Sequence, residues 1–321
     1  MSRRFVSQLA HQEAVDQIFL ASEKQLRPNR NGNLYLQLEL SDRSGSIGAR
    51  MWNASEQDYR GFENGDYVRV EGSTQLFQGT IQLIATSIGR AAKDDVNLDD
   101  FLTLGSKEID RLTTRLGEYL RSMRDPHLLN LAECFLVDDA FMRKFTMAPA
   151  GVKNHHAYPG GLVEHVVNLM DLVTRVSPMY PALNPDLLVM GALLHDVGKI
   201  DELSYDRDFA YTDEGQLIGH VVMGIGILDK KLRETERLAG ESIPEELALR
   251  LKHMIVSHHG LYEYGSPKLP MTLEAVALHY LDNLDAKLHS FDQLIRDDPN
   301  VESPWTNFHH SLGRKLYKGG R

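Results

Sequence analysis

"GALLHDVGKIDEL", residues Gly191–Leu203, ends an apolar run with a histidine and an aspartate side by side, and a lysine follows three residues later. Leu187, Leu188, Met190, Ala192, Leu193 and Leu194 read as a helix directed into a core. Burying His195 and Asp196 at the end of such a run is costly unless something compensates their polarity. One explanation is a core histidine hydrogen-bonded to its neighbours. The other is a bound metal, and the choice depends on further ligand-type residues elsewhere in the chain.

Such residues recur beyond position 150, each at or inside an apolar helical pattern. "GGLVEHVVNLMDLV" places His165 among Leu162, Val166, Leu169 and Leu172. "LIGHVVMGIGIL" carries His220, "LKHMIVSHHG" carries His258 and His259, and in "AVALHYLDNLDAKL" Asp282 follows an apolar stretch. A single histidine of this kind is ordinarily a satisfied core residue. Five stations are difficult to explain without an ion. Imidazole and carboxylate donors suit manganese, iron, nickel or zinc, and the set does not choose between them.

The 321 residues suffice for two domains, and 42% hydrophobic with 25% charged residues is ordinary for globular protein. No apolar run approaches the length of a membrane span, so no membrane partner is expected. The start, "MSRRFVSQLAHQEAVDQIF", has no apolar stretch with a cleavage site, so no secretion signal is expected. Cys134 is the only cysteine, which excludes an internal disulfide and a thiolate zinc cluster. The expected location is the cytoplasm. Residues 1–90 hold ten basic and ten acidic side chains, so the net charge of −10 falls entirely on residues 91–321. Of 14 histidines, only His11 precedes His127. An acidic, histidine-rich second part argues against nucleic acid unless bound cations change the local sign.

The first ninety residues have a different periodicity. "NLYLQLELSD" alternates, with Leu34, Leu36, Leu38 and Leu40 on one face and Tyr35, Gln37 and Glu39 on the other. "DRSGS" supplies a turn, and "SIGARMW" sends Ile47, Ala49 and Met51 inward and Arg50 and Trp52 outward. "GDYVRVEGSTQLFQGTIQLIATSI" reads as further strands with Val68 and Val70 inward. About five short strands in this length predict a small oligonucleotide-binding (OB) barrel. Tyr35, Arg50 and Trp52 would share its outer face, and Lys24, Arg27 and Arg30 in "EKQLRPNRNGN" could meet phosphates. Equally open is that the aromatics pack against the second domain, that the cations are solvated, and that the barrel is an interaction module. "RAAKDDVNLDDF" reads as a polar linker, and "EIDRLTTRLGEYLRSM" begins helical periodicity.

His165, the pair His195–Asp196 and Asp282 resemble the H…HD…D signature of the HD-domain phosphohydrolases, an all-helical, metal-dependent superfamily. His220 and His258 resemble the longer ligand set of members that hold two metals, with the aspartate of the pair between them. "NHHAYPGGLVEH", "LLHDVGK", "SHHGLYEYGSPKLP", "LHYLDNLDAK" and "GRKLYKG", behind "LELSDRSGSIGARMW", further resemble the YhaM-type 3′→5′ exoribonucleases. That resemblance spans nearly the whole chain.

It implies two domains, an N-terminal all-β OB-fold barrel followed by an all-α HD domain. Residues 1–90 would bind nucleic acid, 91–110 would link, and 111–321 would form the helical phosphohydrolase with its motifs in 165–285. His165, His195, Asp196 and Asp282 would be metal ligands, and His220 and His258 would complete a second site. His259 sits beside His258, and either fits; His258 is preferred, with His259 left to the substrate. Lys199 aligns with a lysine that stabilises charge on the cleaved phosphate, or it complements a helix C-terminus. His155 and His156 would face the substrate or cap the next helix. The implied cofactor is one or two divalent ions, typically manganese, with iron, cobalt, nickel, zinc or magnesium admitted. The implied activity is removal of nucleotides from the 3′ end of single-stranded RNA, and of DNA as a second substrate, with oligomerisation left open. Two alternatives stand beside it: hydrolysis of small nucleotides (deoxynucleoside triphosphates or cyclic dinucleotides), and non-catalytic nucleic-acid binding. "YEYGSPK" lacks the Gly-Tyr-Pro of the cyclic-dinucleotide enzymes.

Overall fold

The alternating segments of the first hundred residues fold as the pattern requires, into a closed five-stranded barrel. A computed structural model describes residues 3–77, 80–102, 104–151, 158–204, 210–298, 300 and 303–319. Strands β1 (Ala14–Pro28), β2 (Leu34–Asp42), β3 (Gly45–Trp52), β4 (Tyr67–Phe77) and β5 (Thr80–Arg90) close in the order β1-β2-β3-β5-β4. The β3–β5 pairing is parallel and the remaining pairings are antiparallel. Leu36, Leu38, Leu40, Ile47, Ala49, Val68 and Val70 are buried, so the inward face expected from alternation is the inward face found. A short helix α1 (Glu56–Arg60) lies between β3 and β4, capped by Ser55.

Alternation fails at one place in β1. The β1–β2 register shifts between Ser22 and Gln25, where Glu23 adopts φ 53°. Such a bulge reverses the in/out order of the residues it carries. Lys24 is turned inward and is buried.

The second unit is helical: α2 (Ser106–Arg121), α3 (Pro126–Leu136), α4 (Asp139–Met147), α5 (Gly161–Val176), α6 (Pro185–Leu194), α7 (Lys199–Glu202), α8 (Asp213–Ile218), α9 (His220–Ala239), α10 (Glu245–Ser257) and α11 (Leu273–Arg296). A two-stranded ribbon, β6 (Leu203–Ser204) with β7 (Ala210–Tyr211), stands between α7 and α8. Helix α6 is the centre of this unit. Asn184 caps it, Pro185 opens it, and every residue from Leu187 to Leu194 is buried. A helix apolar all round needs neighbours on every side, and α3, α5 and α10 supply them. No helix among the described residues is long and apolar enough to cross a membrane.

The compact units are Met1–Thr103 with Phe291–Arg321, and Leu104–Ser290. Helix α11 runs on through residue 290 to Arg296.

Two glycines let helices meet at the end of α6. A Cβ on Gly191 would lie 2.0 Å from the terminal methyl of Met254 on α10. On Gly198, just before α7, it would lie 2.0 Å from the carbonyl oxygen of His220 and 2.8 Å from the amide nitrogen of Gly224. Backbone cannot step aside as a methionine can, so overpacking here costs about 1–3 kcal/mol. Gly198→Ala is therefore expected to lower the stability of the helical unit by about that amount in urea denaturation, with Gly191→Ala milder.

Candidate metal centre

Five helices deliver ligand-type atoms to one place. His165 comes from the middle of α5, His195 and Asp196 from the end of α6, and His220 from the first position of α9. His258 and His259 follow the end of α10, and Asp282 comes from α11. His165 Nε2, His195 Nε2 and Asp282 form one cluster: the two nitrogens are 3.2 Å apart, and Asp282 Oδ1 is 3.2 Å from His165 Nε2 and 4.0 Å from His195 Nε2. His220, His258 and His259 form a second cluster whose ligand atoms all lie within 4.8 Å of one another, so His259, left to the substrate in the sequence reading, stands among the ligand-type residues beside His258. Asp196 stands between them. Its Oδ2 is 3.3 Å from His195 Nε2, and its Oδ1 is 3.4 Å from His220 Nε2 and 3.6 Å from His258 Nε2.

The outer nitrogens fix which ring atoms carry hydrogen. His195 Nδ1 donates to the Ala192 carbonyl at 2.9 Å, and His258 Nδ1 donates to the Ile255 carbonyl at 2.7 Å. A carbonyl only accepts, so each Nδ1 carries the proton and each neutral ring turns a bare Nε2 inward. The carboxylates of Asp285, 2.7 Å from His165 Nδ1, and Glu202, 3.0 Å from His220 Nδ1, impose the same tautomer. His165 Nε2 and His195 Nε2 therefore face each other at 3.2 Å, an arrangement that repels unless a proton or a metal cation lies between them. Asp196 Oδ1, His220 Nε2, His258 Nε2 and His259 Nδ1 are buried with no hydrogen-bond partner among the described residues. Buried polar atoms are rarely left so. Converging acceptors with no donor among them fit divalent cations, and imidazole with carboxylate is a donor set such ions accept.

The electrostatics agree with the geometry. Burial disfavours charge on His165, but its hydrogen bonds to Asp282 and Asp285 prevail and push its pKa up to about 10. Burial likewise opposes ionisation of Asp282, yet the hydrogen bond with His165 holds it below the usual carboxylate range. Burial works against charge on Asp196 too, and the charges of Lys199 and His195 outweigh it and hold that carboxyl well below its ordinary value. In the second cluster burial pushes His258 and His259 down, which keeps their rings neutral and able to ligate. The site favours positive charge, as does the negative end of α6 on which it sits.

Lys199 opens α7, four residues beyond the His195 cap of the apolar helix. Its Nζ donates to Asp196 Oδ2 at 2.6 Å and to the Ala150 carbonyl at 2.7 Å. Burial opposes its charge, and the Asp196 carboxylate more than offsets this.

Comparison with known proteins matches residues 162–287 to the HD domain and residues 21–89 to an OB-fold nucleic acid binding domain. The 3′-5′ exoribonuclease YhaM of Bacillus subtilis (strain 168) is 37% identical over 284 residues, covering 88% of both chains. That of Geobacillus sp. (strain WCH70) is 38% identical over 83% of this chain and 80% of its own. The chain belongs to the YhaM 3′-5′ exoribonuclease family. Among solved structures, the second OB-fold domain of replication protein A from Methanococcus maripaludis resembles 29% of this chain and 97% of its own, at 21% identity and a TM-score of 0.24.

In this YhaM family member the barrel residues singled out from sequence separate into two groups. Arg27, Tyr35 and Trp52 are directly opposite one another on β1, β2 and β3. The Tyr35 and Trp52 rings are 5.2 Å apart at 41°, and Trp52 is 46% exposed. Arg30 is exposed in the turn after β1, and the Arg50 guanidinium lies 5.8 Å from the centroid of the exposed Phe77 ring. Lys24 is a correction. The bulge turns it inward, where Nζ donates to the carbonyls of Tyr59 and Phe62 at the end of α1 and lies over both rings. It is not available to a phosphate. His155 and His156 lie outside the described residues.

Three residues near the centre were not among those singled out. Asp285 and Glu202 orient His165 and His220, and His279 Nδ1 donates to the His258 carbonyl at 2.7 Å. His279, Asp282 and Asp285 follow at spacings of three on α11, the one sequence signal that joins them.

Asp196 is the shared element of both clusters. Its removal is expected to weaken binding of manganese by more than the ~10–100-fold that loss of an outer hydrogen-bond partner costs. Metal analysis of Asp196→Ala after dialysis against Mn²⁺ reads this, with circular dichroism to establish that the barrel and helices remain. Normal metal content in the folded variant would contradict the assignment.

Proposed function

We infer that the protein is a metal-dependent 3′→5′ exoribonuclease acting on single-stranded RNA. The observation that carries this reading is the pair of acceptor clusters that share Asp196, in a chain of the YhaM family behind an OB barrel.

His165, His195 and Asp282 would hold one cation, His220, His258 and His259 a second, and Asp196 would serve both. Divalent ions bound there supply a water acidic enough to ionise near neutral pH and positive charge for the leaving oxygen. The chain's own residues prepare the rest. Asp285, Glu202 and two backbone carbonyls hold the imidazoles in the ligating tautomer. Lys199 holds Asp196 ionised, and its ammonium adds positive charge where a phosphodiester would be cleaved. His155 and His156 are proposed to contact substrate. Manganese is proposed as the ion on the resemblance to the YhaM-type enzymes; the imidazole and carboxylate donors accept it without selecting it.

The row Arg27–Tyr35–Trp52 is proposed as a binding surface for the strand, with Arg30 and Arg50 beside it. Aromatic faces stack on any base and arginines neutralise phosphate. Neither contact requires a 2′-hydroxyl, so single-stranded DNA is proposed as a second substrate, and nucleoside 5′-monophosphates as products. A cytoplasmic location is proposed, in keeping with a lone, buried cysteine.

A 5′-labelled single-stranded oligoribonucleotide, incubated with enzyme and Mn²⁺, should give a ladder shortening from its 3′ end. Unchanged RNA alongside hydrolysis of a nucleoside triphosphate or cyclic dinucleotide would overturn the reading. Losing one stacked base costs about 1–3 kcal/mol, so Trp52→Ala is expected to raise KM for long strands by roughly 5- to 150-fold. Binding shared by ground and transition states leaves kcat unchanged. Equal KM values for wild type and Trp52→Ala would remove Trp52 from the binding surface.

A further inference from the structure

Helix α9 begins in an unusual way. Its N-cap is Gly219, at φ 79°, which offers no side chain to the first free N–H groups. The missing acceptor comes from elsewhere in the chain. Glu202, the last residue of α7, places Oε1 2.8 Å from the His220 backbone nitrogen and 3.0 Å from His220 Nδ1. One carboxylate oxygen thus satisfies the helix terminus and fixes the histidine ring together.

Glu202 is itself held from several directions. Its N–H donates to the Gly198 carbonyl at 3.0 Å, and its own carbonyl accepts from the Thr212 N–H at 2.9 Å. Gly215 approaches so closely that a Cβ there would lie 2.2 Å from the Glu202 oxygen. The side chain is buried. Burial raises its pKa, but the hydrogen bond from His220 more than compensates, so it remains ionised.

Among the described residues, no other charged side chain lies on the outer nitrogen of His220 or His258. His258 Nδ1 is bound by a backbone carbonyl, and the His258–Gly260 turn is held by His279, whose ring would meet a Cβ on Gly260 at 2.2 Å. The first cluster has Asp285 in the equivalent place, on His165. Among the described residues, each cluster therefore shows an anionic side chain on the outer nitrogen of one histidine, Asp285 for the first and Glu202 for the second, and the two anions belong to different elements.

On the metal reading given above, we propose that Glu202 is the positioning residue of the His220–His258–His259 cluster, and that it sets the cation affinity of that cluster independently of the His165–His195–Asp282 cluster. An anion on Nδ1–H makes Nε2 a better donor and holds its direction, and losing such a partner ordinarily costs 10–100-fold in metal affinity. A residue that only capped α9 would change stability and leave the two affinities in their original ratio.

The test is a titration of the full-length, metal-stripped protein with Mn²⁺, followed by calorimetry and by the paramagnetic resonance of the free ion. Wild type should take up two ions per chain. Glu202→Gln keeps an acceptor oxygen and is expected to weaken one of the two by about 10-fold, and Glu202→Ala by about 100-fold. The other ion should be unaffected in both variants. Asp285→Asn should weaken the ion that the Glu202 variants spare. Thermal unfolding of each stripped variant separates capping from metal positioning, and the glutamine variant stands if the alanine variant does not fold. Glu202 variants that change neither affinity, or both by the same factor, would overturn the inference, as would a wild type that takes one ion. A wild type that binds no Mn²⁺ would overturn the metal reading itself.

Discussion

Asp196 is an ionised carboxylate, 3% exposed, at the negative end of a fully buried helix. Few positions in a folded chain are less favourable for a negative charge, and the surrounding structure can be understood as compensation for it. Lys199 pairs with one oxygen. The other faces the bare nitrogens of His220 and His258. One lysine does not satisfy a carboxylate surrounded by acceptors, whereas divalent cations held by the two proposed ligand sets would. The close glycine contacts serve the same end, because α7 and α9 must approach within backbone distance for Asp196 and His220 to face each other.

Much of this was legible in the residues. Strict alternation through Leu36, Leu38 and Leu40 specified the barrel's inner face, because a strand has only two faces and one was buried. The apolar run Leu187–Leu194 specified a central helix for the same kind of reason. Five polar stations in apolar helices pointed to one cluster, and the fold brings them together. What was not legible depended on local departures or on distant partners. Lys24 reads as a loop cation until the bulge at Glu23 inverts its side. Glu202 and Asp285 were not singled out, because nothing in the pattern shows that each meets an imidazole 18 or 120 residues away.

The distribution of charge becomes intelligible in this light. All of the net negative charge falls after residue 90, in the part that carries the histidines. An acidic surround opposes an RNA substrate at long range, and bound cations reverse the sign only where the phosphate must be held. The barrel, balanced in charge overall, presents arginines beside exposed aromatics on one face. On the proposed function, capture of the strand and cleavage of its end would fall to chemically different surfaces.

The central claim is that the facing nitrogens of His165 and His195, and those of His220, His258 and His259, are arranged around cations. The most direct measurement is anomalous diffraction at the manganese edge from crystals grown with Mn²⁺. Two anomalous peaks are expected, one within each cluster and both beside Asp196. Absence of a peak in either cluster, with the His165 and His195 rings still facing at 3.2 Å, would contradict the account.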